Sequence, residues 1–194
     1  MVSIDQIKQL REETGVSIAE CKKALEETKG DLDKAKDVLR KRGIEIAEKK
    51  SERGTKAGIV VSYIHPNNRI GVLIELRCET DFVAKSNDFQ ILAHELCLQV
   101  ASMNPLFVDE KDISENILNG EKKIYQEQAK NSGKSEKIIE QIVVGKLKKY
   151  KEEVCLIHQI WVKDGAKTIK QMVDEYIAKI RENIVVKRFA RFEV

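Results

Sequence analysis

The chain has 194 residues, of which 42% are hydrophobic and 35% charged, with a formal net charge of +3. That is enough apolar material for a core beneath a well-solvated surface, so a folded chain of one large domain or two small ones is expected rather than a disordered one. The small net charge does not argue for nucleic acid, aromatics at 5% are sparse for a base-stacking surface, and no apolar run approaches the length that crosses a bilayer.

The first stretch, MVSIDQIKQLREE, lacks an apolar signal core and is already acidic, which points to a cytoplasmic protein. Ser3 with Gln6 makes a capping box, and Ile4, Ile7 and Leu10 follow at helical spacing. Thr14-Gly15 stops that helix. Ser17 with Glu20 makes a second capping box, which starts the next helix with Ile18, Cys21, Ala24 and Leu25 on its apolar face. Gly30 suits a left-handed terminator, and Asp31 caps a third helix with Leu32, Ala35, Val38 and Leu39 inward. Three helices in about forty residues sit near the lower limit for independent folding, and such units serve as recognition modules. Val16 and Ile18, in the loop between the first two helices, suit either the core or a partner. Residues 40–57 carry seven basic and three acidic residues and read as a solvated charged linker, with a phosphate-binding arm as the competing reading.

Gly58 to His65 is rich in β-branched residues and reads as a strand, Pro66-Asn67-Asn68 as a turn, and Ile70 to Cys78 as the returning antiparallel strand. Thr80 is placed to cap a helix, and Asp81 suits the positive end of its dipole. Phe82 and Val83 are bulky for a polar connection. By periodicity Phe82 packs back beside its own strand; the competing placement is a rigid, protruding apolar wedge with a carboxylate beside it. Phe89, Leu92, Ala93, Leu96, Val100 and Met103 then form one helical face, which Asn104-Pro105 ends. Residues 121–154 read as helical with a break at Ser132-Gly133, and with Ile138, Ile139, Ile142, Val143 and Leu147 buried. Leu156 to Val162 suits a strand or an extended buried segment. Thr168 to Asn183 is another amphipathic helix, with Ile169, Met172, Val173, Tyr176, Ile177 and Ile180 inward, and Ile184 to Val194 is a closing strand. The expected fold is α+β: a three-helix domain over 1–42, a charged linker over 43–57, and a core over 58–194 with a small antiparallel sheet covered by helices.

Cys21, Cys78, Cys97 and Cys155 form no CxxC pair and read as buried free thiols, and His65, His94 and His158 lack metal-ligand spacing. A thiol enzyme built on Cys97 and His94, and a nucleic-acid-binding module built on the basic linker with Arg188 and Arg191, are rival readings. Neither has a full constellation. The chain has no phosphate-cradling glycine loop, dinucleotide fingerprint or nucleophile elbow, so no enzymatic activity, cofactor or bound metal is expected. The residues point to action by contact.

TGVSIAECKKALEET (Thr14–Thr28), GDLDKAKDVLRKRG (Gly30–Gly43), ETDFVAKSNDF (Glu79–Phe89), EVCLIHQIWVKDGAKTI and the terminal RFARFEV resemble, in order, the motifs of the bacterial translation elongation factor Ts family in its short form. The resemblance implies guanine-nucleotide exchange on elongation factor Tu. It implies an N-terminal module like a ubiquitin-associated domain that binds the GTPase, using Arg11, Val16, Ile18 and Ala19. It also implies that Thr80, Asp81, Phe82 and Val83 dislodge the partner's Mg²⁺, which makes Phe82 the wedge. The family's paired methionines are replaced here by Ile18 and Ala19, and Ala19 offers less contact area. Longer members continue beyond Phe192-Glu193-Val194 with more core. The short form therefore implies a homodimer and a 2:2 complex with elongation factor Tu, with no membrane and no direct nucleic-acid partner.

Overall fold

In this computed structural model residues 2–130 and 135–194 are described. The expected break at Ser132-Gly133 lies outside them. Helix α1 (Ile4–Thr14) begins at the Ser3 capping box and ends at Gly15, which adopts the left-handed conformation (φ 66°) that its missing Cβ permits. Helix α2 (Ile18–Glu27) starts where Ser17 Oγ accepts from the Glu20 N–H at 3.4 Å. Helix α3 (Leu32–Lys50) is capped by Asp31, whose side chain accepts from the Lys34 N–H. Leu10, Cys21, Ala24, Leu25, Ala35 and Leu39 form the centre of these three helices. Arg42 ties α3 to α2 through Glu20 (3.2 Å) and Glu27 (2.7 Å).

Helix α3 spans Leu32–Lys50, so the first half of the charged stretch is helix rather than open linker. The reason is a buried face that narrows from Leu39 to the small residues Gly43 and Ala47. Leu39, Gly43 and Ala47, spaced by four, are buried, and a Cβ on Gly43 would sit 3.5 Å from the Ala178 methyl. The lysines and glutamates between them are good helix formers that remain in water.

Strands β1 (Ala57–Ile64), β2 (Ile70–Cys78) and β5 (Val185–Glu193) form a three-stranded antiparallel sheet in the order β1-β2-β5. In β2 the alternate residues Val72, Ile74, Leu76 and Cys78 are buried, while Leu73 is exposed. After the short helix α4 (Asp81–Ala84), helix α5 (Asn87–Met103) buries Phe89, Leu92, Ala93, Leu96 and Val100. Met103, expected inward, is exposed: it is the last helical residue, and the chain turns away at Asn104 (φ 45°). Helices α6 (Glu115–Lys130) and α7 (Glu136–Val154) pack on each other, with Lys146 Nζ bonded to Gln128 at 2.6 Å and lying over the Tyr125 ring. Val143 is buried as expected, whereas Ile138 is exposed near the start of α7.

The Leu156–Val162 stretch divides into a single 3-10 turn (Leu156–His158) and β3 (Ile160–Trp161), which pairs with β4 (Asp164–Thr168). Buried Gln99 holds this hairpin by donating to Gln159 and to the Ile160 carbonyl, and by accepting from the Val162 N–H. Helix α8 (Ile169–Ile180) stops three residues before the expected end at Asn183, because Arg181 takes a left-handed conformation (φ 66°). The architecture is α+β. It comprises two compact units, one made of Met1–Val61, Glu75–Glu95 and Gln171–Lys187, the other of Ser62–Ile74, Leu96–Lys170 and Arg188–Val194. Among the described residues no helix is long and apolar enough to cross a membrane.

Candidate functional site

The turn that follows β2 is built by one cap. Thr80 is extended (φ −127°, ψ 154°), and its Oγ1 accepts from the Val83 N–H at 3.3 Å. The Ala84 N–H donates to the Thr80 carbonyl and the Ser86 N–H to that of Val83, which closes a single helical turn over Asp81–Ala84. Successive residues on a helical turn point about 100° apart. Val83 and Ala84 face inward and are buried, so Asp81 and Phe82 face outward. The Phe82 ring is 85% exposed. It forgoes the roughly 1.5–3 kcal/mol that burial of such a side chain provides. A single apolar side chain in water is ordinary on a protein surface; Phe82 is set apart by the capped turn that holds it there, at 85% exposure, beside the Asp81 carboxylate.

The root of this turn is pinned from α8's exit. Glu182 accepts from the Thr80 hydroxyl through Oε1 at 2.7 Å, and through Oε2 from the Thr80 N–H at 3.0 Å and the Glu79 N–H at 3.1 Å. Glu79 answers by accepting from the Asn183 N–H at 2.7 Å, and its other oxygen lies 3.6 Å from Arg53 Nη1. The buried Asn183 amide donates to the carbonyls of Ser51 and Arg53, just past the end of α3. The Cys78 thiol donates to the Thr80 carbonyl at 3.2 Å. Burial, and next the negative charge of Glu182, push that thiol up to about 11. Sequence reading missed Glu79, Glu182 and Asn183. Helical periodicity carried the last helix through Asn183, and no spacing rule links residues a hundred positions apart.

On the helical module, Arg11 and Ala19 are exposed and Ile18 is 55% exposed, while Val16 is half-buried against the three-helix core. Gly15 lies against Lys179, whose ammonium pairs with Asp88 at 2.7 Å. These residues and the Thr80–Val83 turn belong to the same compact unit.

The rival constellations are poorly served. Cys97 is buried and pushed up to about 11, too high for a thiolate nucleophile at neutral pH. Of the basic residues assigned to a nucleic-acid surface, Arg42 is engaged by two glutamates. Arg191 is held by Glu193 at 2.6 Å and by the Ala101 carbonyl.

A family model described as Elongation factor TS matches residues 5–194. The chain is 53% identical over 193 residues to Elongation factor Ts of Pseudothermotoga lettingae, covering 100% of this chain and 98% of the relative. It is 51% identical over 193 residues to Elongation factor Ts of Thermotoga maritima, covering 100% and 96%. It is 45% identical over 194 residues to Elongation factor Ts of Syntrophomonas wolfei, covering 100% and 91%.

Proposed function

The chain belongs to the elongation factor Ts family of translation elongation factors, and from that premise we propose that it is a guanine-nucleotide exchange factor for elongation factor Tu. The observation that carries this reading is the Phe82 ring, 85% exposed on a turn whose next two side chains are buried.

A GTPase holds GDP tightly because a phosphate-binding loop and Mg²⁺ clamp the phosphates. Release requires no bond-making by this chain. It requires a partner that prefers the nucleotide-free conformation, because a protein that weakens GDP binding is itself bound less tightly when GDP is present. Phe82 enters the GTPase domain as an apolar wedge and recovers there the burial it lacks in the free chain. Asp81, beside it, redirects groups around the Mg²⁺. Thr80 keeps the turn in shape, and Val83 anchors it from below. The helical module of residues 1–42 supplies affinity and orientation through Arg11, Val16, Ile18 and Ala19. Residues 58–194 form the core and the dimerisation domain, and two copies engage two GTPases in the cytoplasm.

The test is release of a fluorescent GDP analogue from elongation factor Tu. Phe82→Ala keeps the fold, since the ring touches water rather than the core, and leaves thermal stability within about 0.5 kcal/mol. It slows stimulated release by about 10- to 100-fold, the factor equivalent to burying one such ring at about 1.4 kcal/mol per decade. Release as fast as with the wild-type chain would sink the wedge mechanism.

A further inference from the structure

We propose that Glu182 is a positioning residue for exchange: its carboxylate sets the direction in which Phe82 is presented. This inference rests on the wedge reading above and names the group that makes the wedge rigid. Three donors from two consecutive residues, the Glu79 N–H, the Thr80 N–H and the Thr80 hydroxyl, converge on its two oxygens at 2.7–3.1 Å. The same hydroxyl oxygen accepts the Val83 N–H, so Glu182 acts on the helical turn through the atom that caps it. Hydrogen bonds to an ionised acceptor are the strong ones, and three on one carboxylate leave the turn's root little freedom.

Two further observations support the assignment. Arg181, directly before Glu182, has φ 66°, a conformation a residue with a Cβ adopts at a cost. That kink ends α8 and turns Glu182 and Asn183 toward Glu79 and Thr80. The contact is also reciprocal: Glu79 accepts from the Asn183 N–H, and Asn183 holds the carbonyls of Ser51 and Arg53. The strand exit that carries Phe82 and the chain leaving the helical module are thereby held by the same pair of residues. Neither Glu182 nor Asn183 needs to touch the GTPase for this.

The experiment measures maximal stimulated GDP release and the half-saturating concentration for Glu182→Ala and Glu182→Gln, with amide hydrogen exchange on the free chains. Glu182→Ala is expected to lower the maximal rate about tenfold and to move the half-saturating concentration less than about twofold, since orientation and not attachment is lost. The Glu79 and Thr80 amides exchange at least about tenfold faster, while those of α1–α3 are unchanged. Should Glu182→Ala fail to fold, Glu182→Gln decides: it keeps the shape and one acceptor oxygen, and lowers the maximal rate about threefold. A maximal rate equal to wild type despite faster Glu79 and Thr80 exchange overturns the proposal, as does a raised half-saturating concentration at full maximal rate. Phe82→Ala in the same assay separates the two ideas. If it matches wild type, the wedge reading itself has failed; if it is slow and the Glu182 variants are fast, only the positioning role has.

Discussion

Burial keeps the thiols of this chain protonated, and that has a consequence at high pH. Cys78, Cys97 and Cys155 are each pushed from an ordinary 9.0 to about 11, chiefly by loss of hydration, with nearby carboxylates adding to the effect at Cys78 and Cys155. A folded-state value raised above the unfolded one means that the folded chain holds the proton more tightly. The stabilisation is therefore fully present below pH 9 and is lost as pH rises toward 11. Urea midpoints measured at pH 7, 8, 10 and 11 should be level between the first two and fall after them; a flat profile to pH 11 would contradict the burial of these thiols. The same residues show what a sequence makes legible. Each cysteine sits in an apolar neighbourhood, so its burial can be read directly. Phe82 stands in a polar connection, yet periodicity alone points it inward. Its outward placement follows from Val83 and Ala84 filling the inward side of a single turn. Pattern reading cannot weigh which of two adjacent apolar residues wins that side.

At the scale of elements, boundaries set by side-chain caps were legible and those set by distant packing were not. Ser3, Ser17, Asp31 and Thr80 each accept from the backbone N–H three residues on, as their types and spacing suggest. Helix α3 runs to Lys50 because Gly43 fits against a helix more than a hundred residues later and Ala47 is buried one turn on, and α8 stops at Ile180 because the chain turns at Arg181. Both depend on partners that a local window does not contain. Strand β4 was missed because DGAKT has neither alternation nor β-branched bulk until its last residue; it exists through pairing with β3. Close approach of backbones also yields a prediction. A Cβ on Gly58 would collide with the Leu76 carbonyl oxygen and lie 2.9 Å from the Arg77 Cα, both main-chain atoms that cannot swing aside. Gly58→Ala should thus separate β1 from β2 locally and cost about 1–3 kcal/mol, the usual range for overpacking. A thermal midpoint within a degree of wild type would show that the strands tolerate the methyl.

For the whole molecule, the arrangement of apolar surface bears on the proposed self-association. Within the second compact unit the sheet strands leave Ile64 on β1, Leu73 on β2 and Phe192 on β5 in water, and each is at least 46% exposed. Single exposed apolar residues are ordinary, but three on strands of one unit are surface that a partner could cover. A stable interface buries about 1,200–2,000 Å² in total, and two copies pairing here would gain their affinity from such side chains. The chain has a mass of 22.2 kDa and a formal net charge of only +3, so like-charge repulsion opposes pairing weakly at ordinary salt. Light scattering on the eluted peak should give about twice that mass at micromolar concentration, as expected for an interface held by apolar burial. Raising salt should leave the dimer intact, because apolar contacts are not screened. Added to elongation factor Tu and GDP-free buffer, the dimer should elute as a larger species containing the two proteins in equal number. A peak at the single-chain mass across that range would remove the homodimer and the 2:2 complex, while leaving the Phe82 mechanism, which one copy can execute, to stand or fall on its own assay.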